Sequence, residues 1–223
     1  MGAPLVHEII VDELVAVTRA GGLAAGLRRI VDCGLPVPCA GSGRTLVPAG
    51  AAGRVVAWHV AGAELTAHQA AVRVLPHPLA STEGLELIEV TATQPGAGRP
   101  ASGSLMVNAL LVAVRLGLIA AMLDLAVCHL RGRRVEGLPL ALKQLPQSTI
   151  ADALASAELC RYAVLTAASA TALDALHTRL GTTGWSLTIL FGGSGYLRSH
   201  PARCLYVAEL VRDAWVVPAT VDS

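Results

Sequence analysis

Three arginines stand close together in a chain that carries few charges. Arg131, Arg133 and Arg134 follow a long apolar run at residues 105–130, and only 15% of the 223 residues are charged. A planar guanidinium can donate paired hydrogen bonds to phosphate oxygens, so the cluster could clamp a pyrophosphate. Cations at a helix C-terminus also complement the helix dipole, which requires no ligand. The cluster alone leaves these two interpretations equally supported.

The segment FGGSGY, residues 191–196, is the second stretch whose composition could serve chemistry. In a structural interpretation, a helix ends here and Gly192 or Gly193 adopts the left-handed conformation. In a functional interpretation, the missing side chains let the backbone approach a ligand closely, and phosphate is the obvious candidate. The segment does not match a dinucleotide fingerprint, because it follows a helical pattern and not a strand.

Other residue types give no site. The seven histidines show no HExxH or HxH spacing, so no metal ligand is predicted, and no GxSxG elbow supports a serine nucleophile. We therefore assign no catalytic residue. The five cysteines form no CxxC pair, which favours buried free thiols in a reducing cytoplasm.

The arginines and glycines belong to a C-terminal half that reads as entirely helical. Apolar residues recur at helical spacing over residues 105–130, 146–173, 175–190 and 201–211, which predicts an antiparallel four-helix bundle. Ser102 or Ser104 is expected to cap the first of these helices. Residues 44–93 contain short β-type runs such as RVVAWHV, AVRVL and LELIEVTAT. Residues 5–33 predict one or two short helices interrupted by Gly21 and Gly22.

The predicted fold is thus α+β and mainly α, in three parts. They are an N-terminal helical segment (1–35), a small β domain with its linker (36–103) and a C-terminal helical bundle (104–223). The formal charge of +1 gives no basic field for nucleic acid. Residues 105–130 are long enough to span a membrane, but Arg115 and Asp124 favour a core helix and no membrane. Acidic residues stand near the N-terminus, where a signal peptide would need a basic region followed by an apolar one. We therefore predict a cytoplasmic protein.

Taken together, these signals resemble the C-terminal part of the acyl-CoA dehydrogenase family. The family's R-x-x-F-G motif, its following Gln and its Ala-Asp pair correspond in spacing to Arg133, Gly137, Gln144, Ala151 and Asp152. Its later Q-x-x-G-G-x-G-Y motif and Arg-Asp-Ala triplet correspond to Gly192, Gly193, Gly195, Tyr196, Arg212, Asp213 and Ala214. The order of β region, linker and helical bundle is similar too. Most of the N-terminal helical domain of the family has no counterpart.

The resemblance implies a FAD-binding fold in which an Arg of one subunit reaches the flavin pyrophosphate of a neighbour. Arg133 would be that Arg, Gln144 a further cofactor contact, and Gly192 with Gly193 the close backbone approach. The implied reaction is α,β-dehydrogenation of an acyl-CoA thioester, as in fatty acid metabolism. The implied assembly is a homo- or hetero-oligomer with a full-length acyl-CoA dehydrogenase-like subunit.

The chain also departs from the family pattern. Glu136 replaces the aromatic residue of R-x-x-F-G, and Ile189 replaces the first Gln of the glycine motif. Of the two positions where family members carry the catalytic carboxylate, one corresponds to Val107 and the other falls near Val221. A partner would therefore supply the base. The alternatives are an inactive scaffold or assembly subunit of the same fold, or a flavin-dependent oxygenase, which needs no such base.

Overall fold

Helices dominate the chain, whose computed structural model describes residues 8–94, 96, 98–100 and 104–216. The α-helices in these ranges are α1 (Glu8–Asp32), α2 (Pro78–Thr82), α3 (Ser104–Gly132), α4 (Gln144–Thr166), α5 (Ala170–Ile189) and α6 (Arg203–Trp215). The main strands are β1 (Val37–Pro38), β2 (Arg44–Pro48), β3 (Ala57–Val60), β4 (Ala63–Thr66), β5 (Ala70–Leu75), β6 (Leu85–Ala92) and β7 (Arg99–Pro100). The mainly helical α+β fold class is confirmed.

The long apolar helix α3 lies at the centre of the helical part. It packs against α1, α4, α5 and α6, and within the predicted bundle α5 also contacts α4 and α6. By length and composition α3 could cross a membrane, but 67% of its most apolar 18-residue stretch is buried inside the protein. Tertiary packing therefore occupies most of the surface that a lipid would otherwise cover. The residues predicted to cap the N-terminus of α3 lie outside the described part of the structure: Ser102 and the side chain of Ser104 are not described.

Helix α1 lies along α3 at very short range. A Cβ on Gly117 would stand 2.6 Å from the carbonyl oxygen of Val15 and 2.6 Å from Cβ of Thr18, so only glycine permits this approach. The predicted interruption of α1 is confirmed at Gly22, whose φ is 75°. The two helices are also joined on their surface by Arg19 and Asp124, at 2.8 Å.

Two sequence expectations about the helices and thiols are wrong. The predicted helix 146–173 is broken after Thr166, because Ser169 caps α5 by accepting a hydrogen bond from the Ala172 amide at 3.1 Å. The apolar periodicity continues across this break and concealed it. All five cysteines are free, but Cys33 and Cys128 are exposed, because Cys33 follows the last residue of α1 and Cys128 lies one turn beyond the exposed Asp124 on α3.

Two small sheets form the β region. Strands β2, β6 and β5 form an antiparallel sheet, and β1, β3, β4 and β7 form another in which β1 and β3 run parallel. The three predicted β-type runs fall in β3, β5 and β6. The side chain of Trp215, fully buried, donates a hydrogen bond from Nε1 to the Leu46 carbonyl oxygen at 3.1 Å. This bond ties α6 to β2.

Candidate functional site

A tight hairpin follows α3 and positions Arg133. Strands β8 (Arg134–Val135) and β9 (Leu138–Pro139) pair around Glu136 and Gly137, whose φ angles are 55° and 78°. Two successive positive φ values are typical of the turn that suits a two-residue hairpin. The Leu140 amide donates to the Arg133 carbonyl oxygen at 2.7 Å, which closes the hairpin against the end of α3.

The glycine turn after α5 meets this hairpin. Gly192 has a φ of 60°, so the predicted left-handed residue at the helix end is confirmed there. A Cβ on Gly192 would lie 3.7 Å from Nη1 of Arg133, whereas a Cβ on Gly193 would meet no atom within 4 Å. The fold therefore brings together Arg133, Gly192 and Gly193, which lie almost 60 residues apart in the sequence.

The charges around this junction have separate partners. Arg134 donates to the Gly137 carbonyl oxygen at 2.8 Å and so supports the hairpin. Glu136 pairs with Lys143 at 3.0 Å, and its negative charge is therefore partly neutralised. Within the described ranges, the exposed Arg133 has neither a carboxylate nor a hydrogen-bond acceptor as partner. Its guanidinium is available to an external anion.

Gln144 is the first residue of α4 and is exposed. It forms no hydrogen bond to Arg133 or Gly192 in the described part of the chain, so its role as a cofactor contact stays a prediction. The chemistry of the three remaining residues is compatible with a pyrophosphate, and their role as a cofactor site stays a prediction. They combine an unpaired guanidinium, a left-handed glycine and an open glycine beside it, where a side chain would occupy the space that a phosphate needs.

The family is decided by a model of the acyl-CoA dehydrogenase C-terminal domain, which matches residues 96–218, more than half of the chain. The chain belongs to the acyl-CoA dehydrogenase family. The matched region contains α3 to α6, the hairpin and the glycine turn. No curated protein sequence matches the chain.

Solved structures show the same fold at low sequence identity. A glutaryl-CoA dehydrogenase from Mycobacterium smegmatis in complex with FADH2 is 13% identical with a TM-score of 0.55, over 73% of this chain and 51% of that one. The ChsE4-ChsE5 complex from Mycobacterium tuberculosis is 19% identical with a TM-score of 0.50, over 80% of this chain and 58% of that one. The Tcur3481-Tcur3483 steroid acyl-CoA dehydrogenase variant is 15% identical with a TM-score of 0.51, over 76% of this chain and 50% of that one. The chain thus spans about half the length of the solved relatives it matches.

The position predicted for a catalytic carboxylate on α3 is apolar. Val107 is 1% exposed and belongs to the hydrophobic core. The second position, near Val221, lies outside the described residues. No group of three or more His, Cys, Asp or Glu residues that could hold a metal ion occurs in the described ranges.

A second polar cluster lies inside the bundle and was missed as a site from sequence. Arg115 of α3 is 4% exposed, donates to Nδ1 of His177 of α5 at 3.2 Å, and pairs with Glu209 of α6. Because Arg only donates, Nδ1 of His177 must accept, and Nε2 carries the hydrogen. The feature of the sequence that indicates this cluster is Arg115, an arginine in the middle of an apolar helix.

Burial controls the protonation of this cluster. Desolvation, reinforced by the charge of Arg115, lowers the pKa of His177 from 6.5 to about 3. Desolvation also raises the pKa of Glu209 and lowers that of Arg115, while each partner's charge opposes the shift. The cost of burial therefore exceeds the mutual attraction for both groups.

The free energy of unfolding is expected to decrease as the pH falls from 6.5 towards 3. Over this range the unfolded chain binds a proton at His177 and the folded chain does not, so the slope contributed by His177 approaches about 1.4 kcal/mol per pH unit. Chemical unfolding at a series of pH values measures the slope. His177→Asn keeps an acceptor for Arg115 and removes the titration, so it should flatten the curve.

Glu209 makes this comparison between variants necessary. Its pKa is raised in the fold, so as the pH falls the folded chain binds this proton at a higher pH than the unfolded chain does. This contribution increases the free energy of unfolding towards low pH, opposite to that of His177. His68→Asn, on an exposed surface, controls for the general effect of replacing a histidine by asparagine. Equal slopes for the wild type and His177→Asn would show that His177 is not held neutral in the fold.

Proposed function

We propose that the chain is a FAD-associated subunit of an acyl-CoA dehydrogenase assembly, which acts in α,β-dehydrogenation of an acyl-CoA thioester together with a full-length relative. The observation that carries the proposal is Arg133, unpaired in the described ranges and placed against Gly192 beside the open Gly193. Guanidinium and open backbone are the groups that recognise a pyrophosphate. The family membership makes FAD the pyrophosphate compound to expect.

Arg133 would hold the pyrophosphate through paired hydrogen bonds, and Gly192 and Gly193 would admit it to the backbone. Gln144, exposed at the N-terminus of α4, would add a polar contact. Bound there, FAD would supply the hydride acceptor for the β-carbon of the thioester, and a carboxylate would be needed to take the α-proton. Because Val107 is apolar and buried, the partner supplies that carboxylate.

Several features support action in an assembly. Apolar side chains beside the site are exposed: Val135, Leu138, Leu142 and Leu145 are 45%, 53%, 62% and 77% accessible. Such exposure in one segment is typical of a surface that a protein partner covers. One solved relative of the same fold is a complex of two chains, ChsE4 and ChsE5. We place the assembly in the cytoplasm, where free cysteines stay reduced.

The test is to purify the chain alone and together with a full-length acyl-CoA dehydrogenase of the same organism. We expect flavin absorbance in the complex, and reduction of an artificial electron acceptor by an acyl-CoA in the complex only. Absence of flavin from both preparations would refute the proposal. Dehydrogenation by the isolated chain would refute the part of it that assigns the base to the partner.

A second candidate is an inactive assembly subunit of the same fold, which the buried Val107 favours. It predicts a stable complex whose flavin content and turnover are unchanged when Arg133 is replaced. The variants described in the Discussion therefore separate the two functions.

A further inference from the structure

A large cavity lies among α3, α5 and α6, and no step of the proposed function uses it. Its volume is about 700 Å³, and most of its wall is apolar, with Leu118, Ile119, Leu180 and Leu205 among the lining residues. Small-molecule sites of proteins have volumes of roughly 300–1,000 Å³ and mainly apolar walls with a few polar groups. The size and lining are therefore those of a ligand site.

Aromatic side chains surround the cavity where it opens to solvent. Trp185, Tyr196 and Tyr206 line it and are 60%, 55% and 58% exposed. Trp185 and Tyr196 are packed edge to face, with ring centroids 5.5 Å apart. Aromatic rings with one apolar face and one wet edge suit the entrance of an apolar pocket.

The polar end of the cavity is the pair of Arg115 and Glu209. Both residues line the cavity, and α5 has a glycine opposite them: a Cβ on Gly181 would stand 2.8 Å from Oε1 of Glu209. The side chain of Glu209 keeps 35% exposure, and only its Oε1 receives a hydrogen bond from the described residues. Oε2 is thus a hydrogen-bond acceptor available to a ligand, in an apolar environment where such a bond is strong.

We propose that this cavity binds a neutral apolar molecule with one hydroxyl group, and that the hydroxyl donates to the carboxylate of Glu209. The charge of the ligand follows from the polar end. Beside this pair a carboxylate would be repelled by Glu209, and an ammonium group by Arg115, whereas a hydroxyl can donate to Glu209 and accept from Arg115. Two more arginines line the cavity: Arg203 already pairs with Glu83 at 2.7 Å, and Arg198 is exposed to solvent, which screens its charge. The site depends on other residues than Arg133 and Gly193, and it stands whether or not the chain binds FAD.

The ligand is tested with three probes that share one alkyl chain: 1-decanol, decanoate and decyltrimethylammonium, each below its micellar concentration. Trp185 reports binding, because Trp58 and Trp215 are 1% and 0% exposed. We expect 1-decanol to shift the emission of Trp185 in a saturable manner, with one molecule per chain. Its affinity should exceed that of the two ionic probes by about tenfold, the factor that one hydrogen bond to a charged group provides.

Two variants test the cavity and its polar end separately. Gly184→Leu adds an isobutyl group between α5 and α6, where a Cβ would lie 3.4 Å from the side chain of Leu205. It should weaken 1-decanol binding at least about tenfold. Ala155→Leu on the exposed face of α4 adds a leucine side chain elsewhere and should change the affinity less than about twofold. Glu209→Gln should remove most of the preference for 1-decanol over decanoate.

Equal affinity of the three probes for the wild type would overturn the proposal, as would binding that Gly184→Leu leaves unchanged. If circular dichroism shows that Gly184→Leu does not fold, the loss of preference in Glu209→Gln still decides the outcome. A full-length relative that protects Trp185 from acrylamide and excludes 1-decanol would show that the cavity is a protein interface and would also overturn the proposal.

Discussion

Replacing Glu209 by alanine is expected to lower the free energy of unfolding by about 3 kcal/mol, because it leaves the guanidinium of Arg115 buried without its carboxylate. Arg115 is 4% exposed, and its other partner, His177, is neutral at pH 7. A buried charge that loses its ion-pair partner retains most of the cost of desolvation. Urea unfolding at pH 7, followed by circular dichroism, measures the change.

The matched control is a surface ion pair that also involves α6 and joins it to α5. Asp174 of α5 and Arg212 of α6 are 2.7 Å apart, and the side chain of Asp174 is 52% exposed. Solvent already screens this pair, so Asp174→Ala should cost less than about 1 kcal/mol. The double variant Arg115→Met with Glu209→Leu should recover most of the stability, because apolar groups of similar volume replace the pair. A loss in Glu209→Ala no larger than that in Asp174→Ala would contradict the prediction.

Replacing Arg133 by alanine is expected to lower the affinity of the assembled protein for FAD by about 100-fold, the loss of two charge-assisted hydrogen bonds to a phosphate. Arg133 forms no ion pair within the described ranges, so its removal should leave the fold and the assembly intact. The measurement is flavin retained by the complex after gel filtration, followed by titration of the apo-complex with FAD.

Arg131→Ala removes the same charge two residues earlier, at the end of α3, and should change the affinity less than about threefold. Gly193→Val provides a second, independent arm. Because a Cβ there meets no atom within 4 Å, the chain should remain folded while the side chain obstructs a phosphate at the backbone. Equal flavin content in the Arg133→Ala and Arg131→Ala complexes would favour the inactive assembly subunit.

Local patterns predicted most of the secondary structure. The helix predicted at 105–130 is α3, Ser104–Gly132, and the β-type runs fall in β3, β5 and β6. These elements follow from the period of apolar residues along the chain, which is a local property. The break before Ser169 escaped the same reasoning, because the apolar period continues through it and only the capping bond reveals it.

Two parts of the candidate site differ in what could be foreseen. The left-handed glycine at the end of α5 follows from the helix stop and the run of glycines, and Gly192 confirms it. The approach of that glycine to Arg133 depends on how α3 and α5 pack, and no sequence pattern specifies the distance. The resemblance to a family indicated the residues, and the packing showed that Arg133 and Gly192 adjoin, while Gln144 forms no hydrogen bond with them in the described part of the chain.

Residue order and type were sufficient for the fold class, the helical centre and the family, because apolar periodicity and motif spacing are written along the chain. The pairing of Arg115 with His177 and Glu209, and the cavity beside them, were decided by tertiary structure alone. The three residues come from three helices and span 94 positions between Arg115 and Glu209. Burial, which sets the pKa of His177 and the cost of removing Glu209, exists only when those helices pack together.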